Sequence, residues 1–176
     1  FDIKDHASVD EIKADAVDML RQMADKCAPS GIGISLEFCG APGCTINRFD
    51  TAYDIVMATG RENVGLTLDQ YHFYAMASSW EALEKADGKR IFVYHLNDAE
   101  NLPIGAAYNT DEKRLWPEDG CLDHKRFTVT LKKIGFDAGV CTIEVFRPEY
   151  YRMSVDENVR TAAERTKAFV AKYFGP

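Results

Sequence analysis

GLTLDQYHFY, residues 65–74, decides how the rest of the chain reads. Val64, Leu66 and Leu68 alternate with Gly65 and Thr67 in an apolar, β-leaning run. The run stops on Asp69, places His72 three residues on, and passes into an aromatic helix-like stretch. A strand suited to a core that stops on a carboxylate is a weak signal alone. It becomes a strong one if other strands of the same chain stop the same way.

Three others do. IGISLEF, residues 32–38, reads as a buried strand whose end carries Glu37. RIFVYHLND, residues 90–98, carries His95, and VCTIEVF, residues 140–146, carries Glu144. Helical patterns fall between them, at 8–28, 48–60, 73–86, 123–135 and 155–174, and a long polar stretch occupies 98–122. Ser8 with Glu11 three residues on has the form of a capping box. Pro29, Ser30 and Gly31 end the first helix, and Gly60 ends the second. The order is α, then βα four times. Apolar strands alternating with helices predict a parallel sheet covered by helices. The strand starts at 32, 64 and 90 are 32 and 26 residues apart. That is near the ~31 residues per unit of an eightfold barrel of ~250 residues. GxGxxG does not follow the first strand, so the dinucleotide fold lacks its fingerprint. The fold class is therefore α/β, of the (β/α)8 barrel type. The chain, one domain over 1–176, would supply about four units, a half barrel.

In a parallel barrel the C-terminal strand ends converge on one face, where the active sites of such barrels sit. Glu37, Asp69, His95 and Glu144 would then meet. Each has a plainer reading alone: a solvated rim glutamate, a helix N-cap aspartate, a hydrogen-bonded core histidine. Four strands out of four point instead to one divalent ion. The oxygen-rich set with one imidazole suits Mn²⁺, Mg²⁺ or Co²⁺, with Zn²⁺ possible.

The bulk numbers fit. An apolar share of 46% and a charged share of 28% describe a globular chain. A net charge of −7 disfavours a nucleic-acid surface. No apolar run approaches the ~18 residues of a membrane span. Five cysteines without a CxxC pair read as reduced cytoplasmic thiols, although Cys39 and Cys44 flank a turn and could pair. The opening FDIKDHASVD is too charged for a signal peptide. It lacks Met, and four strands would leave open edges. Both predict an upstream half of the barrel, or a second copy in a homo-oligomer.

SLEF, LDQYH, VYHLNDAE, the segment from Arg114 through PEDG to Cys121, Leu122 and Asp123, and KKIGFDAGVCTIEVFRPEYY together resemble the successive motifs of the sugar phosphate isomerase/epimerase superfamily of xylose isomerase-like barrels, in its C-terminal half. The resemblance runs from about residue 8 to 174. It implies that Glu37, Asp69, His95 and Glu144 are the metal ligands and that His72 contacts substrate. The implied reaction is a metal-dependent isomerisation or epimerisation of a sugar or keto-polyol through an enediolate, with Glu37 and Glu144 as the acid/base pair and His72 assisting. Asp98 would support His95 or bind substrate, and Arg114 would bind a hydroxyl, carboxylate or phosphate, although a loop cap and a surface arginine are the plainer readings. Trp116, Phe73 and Tyr74 would wall the pocket. Asn101 and Gly43 stand where ketose 3-epimerases carry an arginine and a glutamate, which weakens that reading. The runner-up is an inosose-type dehydratase on the same site. A non-catalytic sugar-binding barrel ranks below it. So does a type IV apurinic endonuclease, because the long loop holds no Asp-x-His pair and the chain has four histidines in all.

Overall fold

The computed structural model describes residues 8–108, 110–136 and 139–175. The charged start at residues 1–7 and the pair 137–138 within the last motif lie outside the described residues.

Strands β1 (Ile34–Glu37), β2 (Val64–Asp69) and β3 (Ile91–Leu96) form a parallel sheet with β6 (Val140–Ile143), in the order β1-β2-β3-β6. A two-residue antiparallel ladder, β4 (Asp98–Ala99) with β5 (Arg114–Leu115), lies inside the long polar stretch. The helices are α1 (Val9–Cys27), α2 (Phe49–Thr59), α3 (Gln70–Ala75), α4 (Trp80–Glu84), α5 (His124–Lys133) and α6 (Val155–Tyr173).

Local chemistry sets the boundaries much as expected. Ser8 Oγ accepts from the Glu11 N–H, and the Glu11 carboxylate accepts from the Ser8 N–H. This capping box starts α1. Gly60 ends α2 at φ 61, a left-handed conformation that costs glycine little. The single helix expected over 73–86 is two short ones. Asp69 starts the first by accepting from His72 N–H, and Ser79 starts the second by accepting from Ala82 N–H. Ala77, at φ 49, breaks the helix between them. Three strands are shorter than expected: β1 lacks Ile32, Gly33 and Phe38, β3 stops at Leu96 before Asn97, and β6 stops at Ile143 before Glu144.

One sheet face is apolar and covered. Leu66, Leu68, Tyr94 and Leu96 are fully buried and pack with Phe49, Ile55, Phe127 and Phe169 from the helices. Truncating one such leucine to alanine costs roughly 2–5 kcal/mol. The opposite face carries Ser35 and Glu37, Thr67 and Asp69, and Val93 and His95, with the Ser35 and Thr67 hydroxyls 2.7 Å apart. The ladder between β2 and β3 shifts register after Leu66: Leu66 pairs with Ile91, but Thr67 pairs with Val93. Phe92 is the extra residue, and its ring packs over Gly33 and Gly65, where a Cβ on Gly65 would lie 2.5 Å from it. This bulge sets Asp69 directly beside His95.

Candidate metal centre

Each expected ligand arrives from a strand end. Glu37 is the last residue of β1 and Asp69 the last of β2. His95 lies in β3, and Glu144 follows β6, its N–H donating to Leu96 O at 3.1 Å. One oxygen or nitrogen from each of the four lies within 4.8 Å of the others. His95 Nδ1 is 3.0 Å from Glu37 Oε1, 3.2 Å from Glu144 Oε2 and 3.5 Å from Asp69 Oδ2. None of these oxygens lies in line for a hydrogen bond, and Nδ1 is buried without a partner. Three carboxylates around a nitrogen that bonds none of them fit a shared cation. The donor set, three carboxylates and one imidazole, suits a divalent ion of intermediate hardness.

The three carboxylates differ. Glu37 and Glu144 keep about a third and a quarter of their side-chain surface exposed, while Asp69 is sealed. Asp69 Oδ1 accepts from His72 N–H at 2.8 Å. Its Oδ2 accepts from Asn97 Nδ2 at 2.7 Å and from Arg114 at 2.6 Å. Burial pushes the Asp69 carboxyl up, but Arg114 and then His95 outweigh it and hold it far below the usual range. Burial opposes charge on His95 too, yet Asp69, Glu144 and Glu37 push the imidazole up to about 11.

Arg114 and His72 belong to this centre. The fully buried guanidinium also reaches Asp111 Oδ1 at 3.2 Å, His72 Nε2 at 3.1 Å and Glu144 Oε2 at 3.4 Å, and covers the Tyr71 ring at 4.7 Å. Burial works against its charge, and Asp69 more than restores it. The surface-arginine reading is thereby overturned. His72 faces Arg114 with Nε2, and its Nδ1 is buried without a partner.

Asp98 is not brought to the quartet. It is almost fully buried; Oδ1 accepts from Ala99 and Leu122 N–H groups, and Oδ2 lies 2.8 Å from His124 Nε2. Burial raises its carboxyl, but the bond to His124 and the backbone donors bring it below the ordinary value. Among the described residues its partners are Ala99, Leu122 and His124, and the expected contact to His95 is not made. Trp116 is buried and stacks on Tyr150 at 4.5 Å. Phe73 belongs to the core, and with Tyr74 it lines a cavity of about 400 Å³ that none of the four ligands reaches. Cys39 and Cys44 stand as free thiols, the first exposed and the second half-buried.

Asn97 escaped the sequence reading, although a signal was present. It lies two residues after His95, at the position where strand alternation returns a side chain to the same face. Among the described residues no helix is long and apolar enough to cross a membrane.

The chain is 49% identical over 165 residues to the inosose isomerase of Bacillus velezensis, covering 94% of this chain and 58% of that protein. It is 48% identical to the inosose isomerase of Bacillus subtilis, with the same coverage. The chain thus spans somewhat more than half the length of these relatives. More distantly, 129 residues are 29% identical to a 3-dehydroshikimate dehydratase of Pseudomonas aeruginosa, 73% of this chain and 20% of that protein. The crystal structure of the IolI protein with a bound zinc atom superposes with a TM-score of 0.91 at 46% identity, over 97% of this chain and 60% of that one. A D-psicose 3-epimerase, at 18% identity and a TM-score of 0.73, covers all of this chain and 61% of its own and shares the fold. Residues 3–169 match the xylose isomerase-like TIM barrel profile, and the chain belongs to that family.

Proposed function

We propose that this protein is a divalent-cation-dependent isomerase of an inosose-like keto-polyol. The carrying observation is the convergence of Glu37, Asp69, His95 and Glu144 from four adjacent strands to within 4.8 Å. The inosose isomerase relatives and the zinc in the IolI structure support the reading. These four residues would hold the cation. When bound, a divalent cation supplies Lewis-acid polarisation of a carbonyl and its neighbouring hydroxyl.

The chain's own groups divide the remaining work. Asp69, sealed and held by three donors, cannot exchange a proton with a substrate. Glu37 and Glu144 are the two ligand carboxylates with open surface. One takes the proton from the carbon beside the carbonyl, leaving an enediolate; the other returns a proton to the former carbonyl carbon, while the hydroxyl proton passes to the former carbonyl oxygen. Arg114 and His72 flank Asp69, and His72 offers its free Nδ1 to a substrate hydroxyl.

The test is isomer exchange of an inosose in deuterated water. Exchange with deuterium at the reacting carbon supports the reading; a purified, metal-loaded protein that exchanges neither isomer nor deuterium overturns it. Elimination is a second reading, favoured by the 3-dehydroshikimate dehydratase relatives. It begins with the same proton removal and then expels a hydroxyl as water, so a dehydrated product in the same assay would select it.

A further inference from the structure

His124 takes no part in the quartet, yet it is buried and has polar partners on both sides. It is the first residue of α5. Its Nε2 lies 2.8 Å from Asp98 Oδ2, and its Nδ1 lies 2.8 Å from Gln70 Oε1. The ring stands edge-on to Phe169 of α6, with centroids 5.2 Å apart. What matters is where the two partners sit. Gln70 follows the ligand Asp69 and is fully buried. Asp98 follows Asn97, whose amide donates to Asp69 Oδ2 and accepts from Tyr71 N–H. His124 therefore joins the residue after the ligand to the residue after that ligand's hydrogen-bond donor.

The same contact reaches Arg114. Asp98 and Ala99 form the strand that pairs with Arg114 and Leu115, Ala99 lying opposite Arg114. Asp98 also draws the far end of the loop inward through Leu122 N–H. Gly120 closes on it so tightly that a Cβ there would lie 2.3 Å from Ala99 O. Two of the three donors on Asp69, Asn97 and Arg114, thus spring from the segment that His124 pins.

We propose that His124 is a positioning residue for the cation site, bracing Gln70 on one side and the Asn97–Asp98 corner on the other so that the Asp69 carboxylate keeps its orientation. The proposal rests on the quartet being a cation site. Groups behind a ligand that fix its orientation change metal affinity by about 10–100-fold when removed.

The experiment titrates metal-free protein with Co²⁺, reading affinity and the visible absorption of the bound ion. His124→Phe keeps a ring against Phe169 and removes the contacts to Gln70, to Asp98 and to the Glu118 N–H, which donates to Nε2 at 3.2 Å. It should weaken Co²⁺ binding by about 10–100-fold and alter the spectrum. Because this variant leaves Asp98 stranded and could fail to fold, Gln70→Leu tests the other arm alone. It should weaken binding and shift the spectrum in the same sense while its unfolding midpoint holds. Phe169→Leu, which loosens packing on His124 without touching its polar contacts, should lower the melting temperature and leave the cobalt spectrum unchanged. Wild-type affinity and spectrum in Gln70→Leu, or an equal change in Phe169→Leu, overturns the positioning role. Wild-type protein that binds no Co²⁺ instead overturns the reading of the quartet itself.

Discussion

Arg114 Nη1 stands 2.6 Å from Asp69 Oδ2, and neither side chain is exposed to solvent. Buried charges of this kind must be paired, because removing one partner strands the other in a medium that solvates it poorly. Arg114→Met should therefore cost roughly 3–5 kcal/mol in urea unfolding of the metal-free protein. Adding a divalent cation should recover part of the loss, since the ion would share the stranded Asp69 charge. A loss below about 1 kcal/mol would equate the pair with an ordinary surface ion pair.

The His95 imidazole, pushed up to about 11, makes cation binding a competition with a proton. Loading the site at pH 7–8 should release about one proton per ion, and affinity should rise about tenfold per pH unit. Calorimetry in buffers of different ionisation enthalpy counts that proton. The metal-free protein should show the opposite trend in stability. Its His95 is raised above the unfolded value, so the stabilisation is complete below about pH 6.5 and is lost as pH climbs toward about 11. Binding independent of pH across this window would contradict the placement of His95 among three carboxylates.

On the proposed isomerisation, Glu37→Gln and Glu144→Gln would remove a proton carrier at positions that remain partly open to solvent. Each should lower turnover by about a hundredfold or more, with the melting temperature close to wild type. Metal content measured on the same samples separates a lost base from a lost ligand. Near-normal turnover in either variant would remove it from the acid/base role.

Gly40 lies where a side chain has no room: a Cβ there would come within 2.4 Å of His72 O and 2.5 Å of His72 Cα. Gly40→Ala must push the loop after Glu37 away from the turn that caps Asp69. Overpacking of this kind costs about 1–3 kcal/mol, and here it should also weaken cation binding. An alanine variant with unchanged thermal stability would mean that the loop gives way freely.

The clustering of Glu37, Asp69, His95 and Glu144 was legible because a parallel sheet brings strand ends together, and strand ends are visible as apolar runs that stop on a polar residue. Asp69 was plainest, as the end of an uninterrupted run. Asn97 and His124 were not, because their importance comes from hydrogen bonds made across 28, 26 and 54 residues of sequence. Arg114 had a plausible surface reading until the long loop was seen to fold inward through a ladder of only two residues, too short to show alternation. The break at Ala77 was hidden for a related reason. Helical periodicity continues through 73–86, and only the cap geometry of Asp69 and Ser79 divides it.

The extra residue in β3 has a consequence for chemistry. Counting onward from the Leu66–Ile91 pair without the register shift would seat Tyr94, not His95, next to Asp69. A phenol would then stand where the imidazole now does, and the imidazole would fall one step out of line with its carboxylate neighbours. Leaving Phe92 out of the ladder is thus what selects an imidazole over a phenol beside Asp69, with no other letter of the strand changed.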